Sequence, residues 1–194
     1  MTEFSRRVKD ILVGLGFQEM VYTYLGSRQD YIGKMVPQGE EHPHGDTVIR
    51  IANPMSENYE FVRQSIIPSL LASESVSGNA VYPHKIFEIG KVAWLDESQN
   101  SGTRTSDYLG FLTADRDVDF TSISSHVSAL FFYLNKEYRL EESSDPRFIK
   151  GRSASIMYND TKVGIFGEVH PGVLEQWGIQ MPSTACEIDL NLIM

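Results

Sequence analysis

The stretch HKIFEIGKVAWLDESQNSGTRTSDYLGFLT, residues 84–113, decides the fold class. Its first part, His84 to Leu95, is apolar at Ile86, Phe87, Ile89, Val92 and Trp94 and reads as a strand. Residues 96–106 (DESQNSGTRTS) are a polar loop, and Tyr108 to Thr113 returns as a second strand. The pair makes a long antiparallel hairpin, because a parallel partner would need a crossover connection.

Working outward, the segments on either side fit a sheet of this kind. Ile123, Val127, Leu130, Phe131 and Leu134 fall on one face of a helix spanning Ser122 to Leu134. Residues 153–168 read as two strands joined by Asn159-Asp160, a turn-forming pair. His170-Pro171 opens a short helix carrying Val173, Leu174 and Trp177, and Ala185 to Leu190 is a last strand. Upstream, Phe4, Val8, Ile11, Leu12 and Leu15 define a first helix, with Thr2 as its cap and Gly16 past its end. Gln18 to Leu25 reads as a strand, 37–46 (PQGEEHPHGD) as a polar loop, and Thr47 to Ala52 and Glu60 to Gln64 as short strands. Pro68 suits the first turn of a helix that fades at Ser77, Gly78 and Asn79. The result is about seven strands and four or five helices without regular strand–helix alternation. That pattern predicts an α+β domain on a mostly antiparallel sheet rather than a doubly wound parallel one.

Composition narrows the function. The chain has 194 residues, of which 41% are hydrophobic and 22% charged, a composition that folds. Seventeen basic and 26 acidic side chains give a formal charge of −9, the wrong sign for a protein that mainly grips phosphates, though a local basic patch is compatible. A single cysteine, Cys186, excludes an internal disulfide framework or a Cys-based zinc site and fits a reducing, cytoplasmic compartment. No apolar run is long enough to span a bilayer, and residues 1–16 carry no signal-peptide core.

Candidate constellations are sparse. His42, His44 and Asp46 form His-x-His-x-Asp, but the intervening Pro43 and following Gly45 favour a solvated loop over a fixed ligand shell. Glu40-Glu41 and Glu141-Glu142 are sequence neighbours that point apart in polar surroundings, so they read as surface charge. Ser73, Ser75 and Ser77 have no nucleophile elbow, and Cys186 reads as a small buried hydrophobe. Gly164 and Gly167 in KVGIFGEVHPG lie inside a strand pattern, where glycine marks close backbone approach. Arg6, Arg7 and Lys9 lie on the polar face of the first helix and do not make a nucleic-acid groove. No self-contained active site is visible.

Five pieces in order carry a resemblance: GFQEMVYTYLGS (16–27), NPMSENYEFVRQSIIPSLL (53–71), KIFEIGKV (85–92), DFTSISSHVSAL (119–130) and GEVHPGVLEQWGI (167–179). Together they resemble the C-terminal part of the β subunit of phenylalanyl-tRNA synthetase, of the archaeal or eukaryotic-cytosolic branch or of a shortened bacterial chain. The resemblance implies a class II synthetase-like fold, with an antiparallel sheet of about six strands flanked by helices, that has lost catalysis. Residues 4–25 would correspond to the class II motif that builds the dimer interface. It implies a single core-like domain, 1–194, from the C-terminal part of a longer subunit, without the editing and magnesium-associated domains. The expected role is to support the catalytic α subunit in a heterotetramer during protein biosynthesis, with tRNA met through the holoenzyme and no membrane contact. ATP and magnesium would serve the whole enzyme, and no cofactor or metal is expected in this domain.

The same resemblance implies why the domain would be inactive. An active class II site carries Phe-Arg-x-Glu on its second-motif strand, and here the piece is Phe87-Glu88-Ile89-Gly90. A carboxylate stands where a phosphate-binding cation is needed. Where the third motif needs an arginine, Gly164-Ile165-Phe166-Gly167 runs into Glu168, Val169 and His170. Arg63, Glu88, Gly90, Gly164, Gly167 and His170 are therefore the degenerate-site or interface candidates, with Arg63 and Glu88 expected as a structural pair or an interface contact. Ser125 or its neighbour replaces a lysine usual in the family after Asp-Phe. Two competitors remain: a free-standing ATP-dependent ligase, which would need Arg63, Arg147 and Arg152 to converge, and a nucleic-acid-binding module.

Overall fold

The computed structural model describes residues 3–42, 47–78 and 80–194. The elements run α1 (Glu3–Gly14), β1 (Gln18–Glu19), β2 (Leu25–Gly26), α2 (Arg28–Tyr31), β3 (Phe61–Val62), α3 (Ile67–Ser75), β4 (His84–Leu95), β5 (Thr103–Ala114), α4 (Phe120–Leu134), β6 (Arg139–Glu142), β7 (Phe148–Tyr158), β8 (Thr161–Val169), α5 (Pro171–Gln176) and β9 (Ser183–Asp189). Short 3₁₀ turns lie at Gly33–Met35, Glu57–Tyr59 and Leu190–Leu192.

The hairpin read at 84–113 is the spine of the sheet. β4 and β5 pair antiparallel from His84 opposite Ala114 to Leu95 opposite Thr103. A seven-stranded sheet in the order β1-β4-β5-β9-β8-β7-β6 is built on them, and a separate two-stranded sheet joins β2 to β3. Only β1 against β4 is parallel. The α+β architecture is as expected, with seven strands in the main sheet against about six implied.

Side-chain alternation assigns the two faces of the sheet. Phe87, Leu109, Phe111, Cys186 and Ile188 pack under α1 and α4 with Val8, Leu12, Ile123, Val127 and Leu130. Val92, Leu112, Ala114 and Ala185 pack on the opposite face with Ile66, Ile67, Leu70 and Leu71 of the α3 region and Val173 and Leu174 of α5. By the same alternation, Glu88 and Gly90 of β4 and Glu187 and Asp189 of β9 share the α3 face.

Several elements differ from the expectation. The strand read over Gln18–Leu25 is divided: β1 joins the main sheet, and β2 leaves it to pair with β3. The strand expected over Thr47–Ala52 reduces to one bridge, Arg50 opposite Phe61. The polar residues Thr103 to Ser106 extend β5 instead of the loop, because hairpin bonds continue past the apolar alternation. β6, four exposed residues Arg-Leu-Glu-Glu at the sheet edge, carries no strand signal of its own. Thr2, Asn79 and the His44–Asp46 part of the polar loop lie outside the described residues. No helix among the described residues is long and apolar enough to cross a membrane.

Two consequences are measurable. Asp119 caps α4 by accepting from the Ser122 N–H at 2.7 Å, while the Ser122 hydroxyl accepts from the Asp119 N–H at 3.0 Å. Asp119→Ala should lower stability by about 1 kcal/mol, read as a lower denaturant midpoint at unchanged slope. Cys186 is fully buried, and burial pushes its thiol well above its ordinary range. It should resist a thiol reagent in the native chain and react on unfolding; fast labelling of native protein would contradict this packing.

Candidate functional site

The α3 face of the sheet is covered by the segment that leads from β3 into α3. Arg63 follows β3 directly and turns its side chain onto β4. Its guanidinium is fully buried and reaches three acceptors: Glu88 Oε1 at 2.7 Å, Ser69 Oγ at 3.0 Å and the Lys91 carbonyl at 3.0 Å. The Tyr24 ring lies 4.8 Å from its central carbon. Gly90 explains how the side chain fits, since a Cβ there would overlap Nη2 of Arg63. Glu88 is itself buried, and its second oxygen has no hydrogen-bond partner. Arg63 is thus the cation that compensates this carboxylate.

Two residues further on, the same segment is held by a second buried carboxylate. Glu187 of β9 accepts from the Ser65 hydroxyl at 2.9 Å and from the Ile66 N–H at the start of α3. A carboxylate at that helix end is favoured by the unpaired amides. Arg147 lies 3.6 Å from Glu187 and donates to both oxygens of Asp145, at 2.9 and 2.8 Å. Burial pushes the Glu187 carboxyl up, and Arg147 opposes the rise. Burial also acts to raise Asp145, but the Arg147 charge and hydrogen bonds outweigh it and hold Asp145 below its ordinary value. Beside this cluster lies a cavity of about 190 Å³ with Gln64, Trp94, Tyr108, Lys162 and Gly164 in its wall. Burial, with Glu187 and Asp189 adding to it, pushes the Tyr108 phenol up, so it stays protonated.

The structure places the sequence candidates as follows. Arg63, Glu88 and Gly90 come together as one buried unit. Gly164 serves close strand packing: a Cβ there would meet the Glu187 carbonyl. Gly167 does the same against β7, where a Cβ would lie 2.6 Å from the Arg152 carbonyl. His170 caps α5, its Nδ1 accepting from the Gly172 N–H at 3.0 Å, and its own N–H donates to the Arg147 carbonyl at 2.9 Å. Arg152 is exposed and pairs with Glu168 at 2.8 Å, so the three arginines a free-standing ligase would need do not converge. No group of three or more potential metal ligands occurs among the described residues.

The acids of β9 escape a reading of Ala185–Leu190 as an apolar strand. The signal was present as period two: Glu187 and Asp189 alternate with Cys186 and Ile188, which puts both acids on one face of a buried strand. Asp145 and Ser65 lie in irregular segments and carry no comparable signal.

Comparison with known proteins places the chain among relatives. Residues 1–190 match the family described as phenylalanyl tRNA synthetase beta chain CLM domain. The phenylalanine–tRNA ligase beta subunit of Borrelia hermsii is 53% identical over 192 residues, covering 99% of this chain and 33% of that protein. The beta subunit of Treponema pallidum is 45% identical over 194 residues, covering 100% of this chain and 31% of that protein. Both organisms are bacteria. The chain thus spans about a third of the length of the curated relatives it matches. Among solved structures, pyrrolysyl-tRNA synthetase from Desulfitobacterium hafniense superposes with a TM-score of 0.80 at 17% identity, covering 98% of this chain and 67% of that one. That likeness concerns the fold.

The depressed Asp145 carboxyl gives a pH signature. A carboxyl lowered in the folded state contributes stability above its unfolded value that is lost as pH falls through its folded value. Asp145→Asn should therefore be less stable than the parent at neutral pH. The gap should narrow as pH falls below 3.8, the ordinary value, because the parent then loses the same charge. Denaturant unfolding between acid and neutral pH measures this; a gap that does not change with pH would remove Asp145 from the balance.

Proposed function

The chain belongs to the phenylalanyl-tRNA synthetase beta chain CLM domain family, and from that premise we propose that it is a catalytically inactive core-like domain supporting the α subunit of a phenylalanine–tRNA ligase. The observation that carries this reading is the charge on the α3 face. Adenylate chemistry needs cations aimed at phosphates. Here Glu88 and Glu187 occupy the strands, and both buried arginines of that face are already held, Arg63 by Glu88 and Arg147 by Asp145. An entering phosphate would meet carboxylates and would have to strip arginines from their partners.

On this reading the 194 residues act as one domain of a longer subunit working in the cytoplasm. ATP and magnesium belong to the catalytic part of the enzyme, and tRNA is met through the assembly. The surface suited to the α subunit surrounds β2 and the turn before β3. Val21 and Met55 are 87% and 98% exposed, and Tyr22, Tyr24 and Tyr59 are exposed as well. Tyr22 and Tyr59 line one hollow of about 210 Å³. Exposed tyrosines clustered with apolar side chains are the composition of a protein-binding surface.

The test is binding. The chain mixed with a phenylalanyl-tRNA synthetase α subunit should co-elute, and Tyr22→Glu with Tyr59→Glu should weaken the complex by about tenfold or more. The chain alone should give no ATP–pyrophosphate exchange. Exchange above background, or an α subunit that ignores the chain, would overturn the proposal. A strongly salt-dependent affinity for tRNA by the chain alone would favour a nucleic-acid-binding role instead.

A further inference from the structure

We propose that Arg63 is a positioning residue for the partner-facing surface: it latches the β2–β3 unit, with Tyr24, onto the main sheet through Glu88. The identity of the partner rests on the reading above; the latch itself rests on geometry.

The surface needs such a device. β2 and β3 have two residues each and belong to a sheet of their own. They pair with each other at Leu25 opposite Val62 and Gly26 opposite Phe61, and Phe61 also bridges Arg50. Upstream, the Met20 N–H donates to the Phe87 carbonyl at 2.7 Å and marks the last backbone bond to β4 before the tyrosines begin. A unit this small has no core of its own.

Arg63 supplies the connection from both its backbone and its side chain. Its N–H donates to the Tyr24 carbonyl at 3.0 Å, and its carbonyl accepts from the Ala93 N–H of β4 at 3.1 Å. Its guanidinium then spans Glu88 and the Lys91 carbonyl on β4 and the Ser69 hydroxyl on α3, with the Tyr24 ring stacked against it. One residue therefore touches the exposed surface, β4 of the main sheet and the covering helix. The fork geometry matters, because three acceptors in different directions are met by one planar group, which an ammonium cannot reproduce. Gly90 is the matching half of the latch, since any side chain there displaces Nη2.

Two variants disturb the latch differently. Gly90→Ala removes no charge and pushes the guanidinium aside. Arg63→Met with Glu88→Gln removes both charges, so no buried carboxylate is left unpaired. Leu130→Ala, in the core on the opposite face, controls for lost stability as such. Native-state hydrogen exchange should show faster exchange of the Gly26 and Arg63 amides in both latch variants while the β4–β5 amides keep their protection. Affinity for the α subunit should fall by about tenfold or more in both, and by less than about twofold in Leu130→Ala. Unchanged exchange at these amides, or loss spread evenly over the sheet, would overturn the latch. Selective exchange together with unchanged affinity would overturn its role in the surface. Failure of the unaltered chain to bind the α subunit would count against the partner reading and leave the exchange result to decide the latch.

Discussion

Two carboxylates taken out of water on one face of a sheet set the terms for this fold. Glu88 and Glu187 are both buried, and a buried charge without a partner costs several kcal/mol. The structure answers both from the same short segment. Arg63 reaches back to Glu88, while Ser65 and the Ile66 amide just before α3 reach Glu187. The path from β3 to α3 is fixed by where those acids lie, and α3 in turn closes the apolar cluster with Ile67, Leu70 and Leu71. Such pairs do not add much stability against well-packed apolar residues of the same volume. They do penalise any arrangement that leaves an acid alone, and so they select one path for the segment.

The two sheet faces divide the work accordingly. Under α1 and α4 the contact is mainly apolar, with aromatic and branched side chains filling the space. The α3 face mixes an apolar cluster with two ion-paired groups and a small cavity of mixed lining. The alternation of β4, β5 and β9 makes this possible, since each strand can send hydrophobes one way and charges the other.

Much of this was legible in the sequence because it depends on local periodicity. The hairpin at 84–113, the helix ending at Leu134 and the pair of strands around Asn159-Asp160 all announce themselves by spacing and turn residues. The short pieces do not. β1, β2 and β3 have two residues each, and their pairing is decided by contacts distant in sequence, such as Arg63 with Tyr24 and Glu88. β6 is exposed on the sheet edge, so no burial pattern marks it. For the site, Arg63, Glu88 and Gly90 could be singled out by what an active relative would require in their place. Glu187 could not be joined to Asp145 and Arg147 from sequence, because their two segments meet only once β7, β8 and β9 are assembled.

The glycine at 90 shows why position 88 is not free to change alone. Restoring a cation at position 88 would set it against the Arg63 guanidinium, which now lies 2.7 Å from the Glu88 oxygen. Two buried cations at that spacing repel where an ion pair now attracts. Restoring a carboxylate at position 90 would drive a side chain into the same guanidinium. Either change requires Arg63 to leave, and Arg63 leaves only by giving up its hold on Tyr24, Ser69 and β4. Glu88, Gly90 and Arg63 are therefore coupled, since a change at either strand position displaces the guanidinium that joins the exposed β2–β3 unit to the sheet.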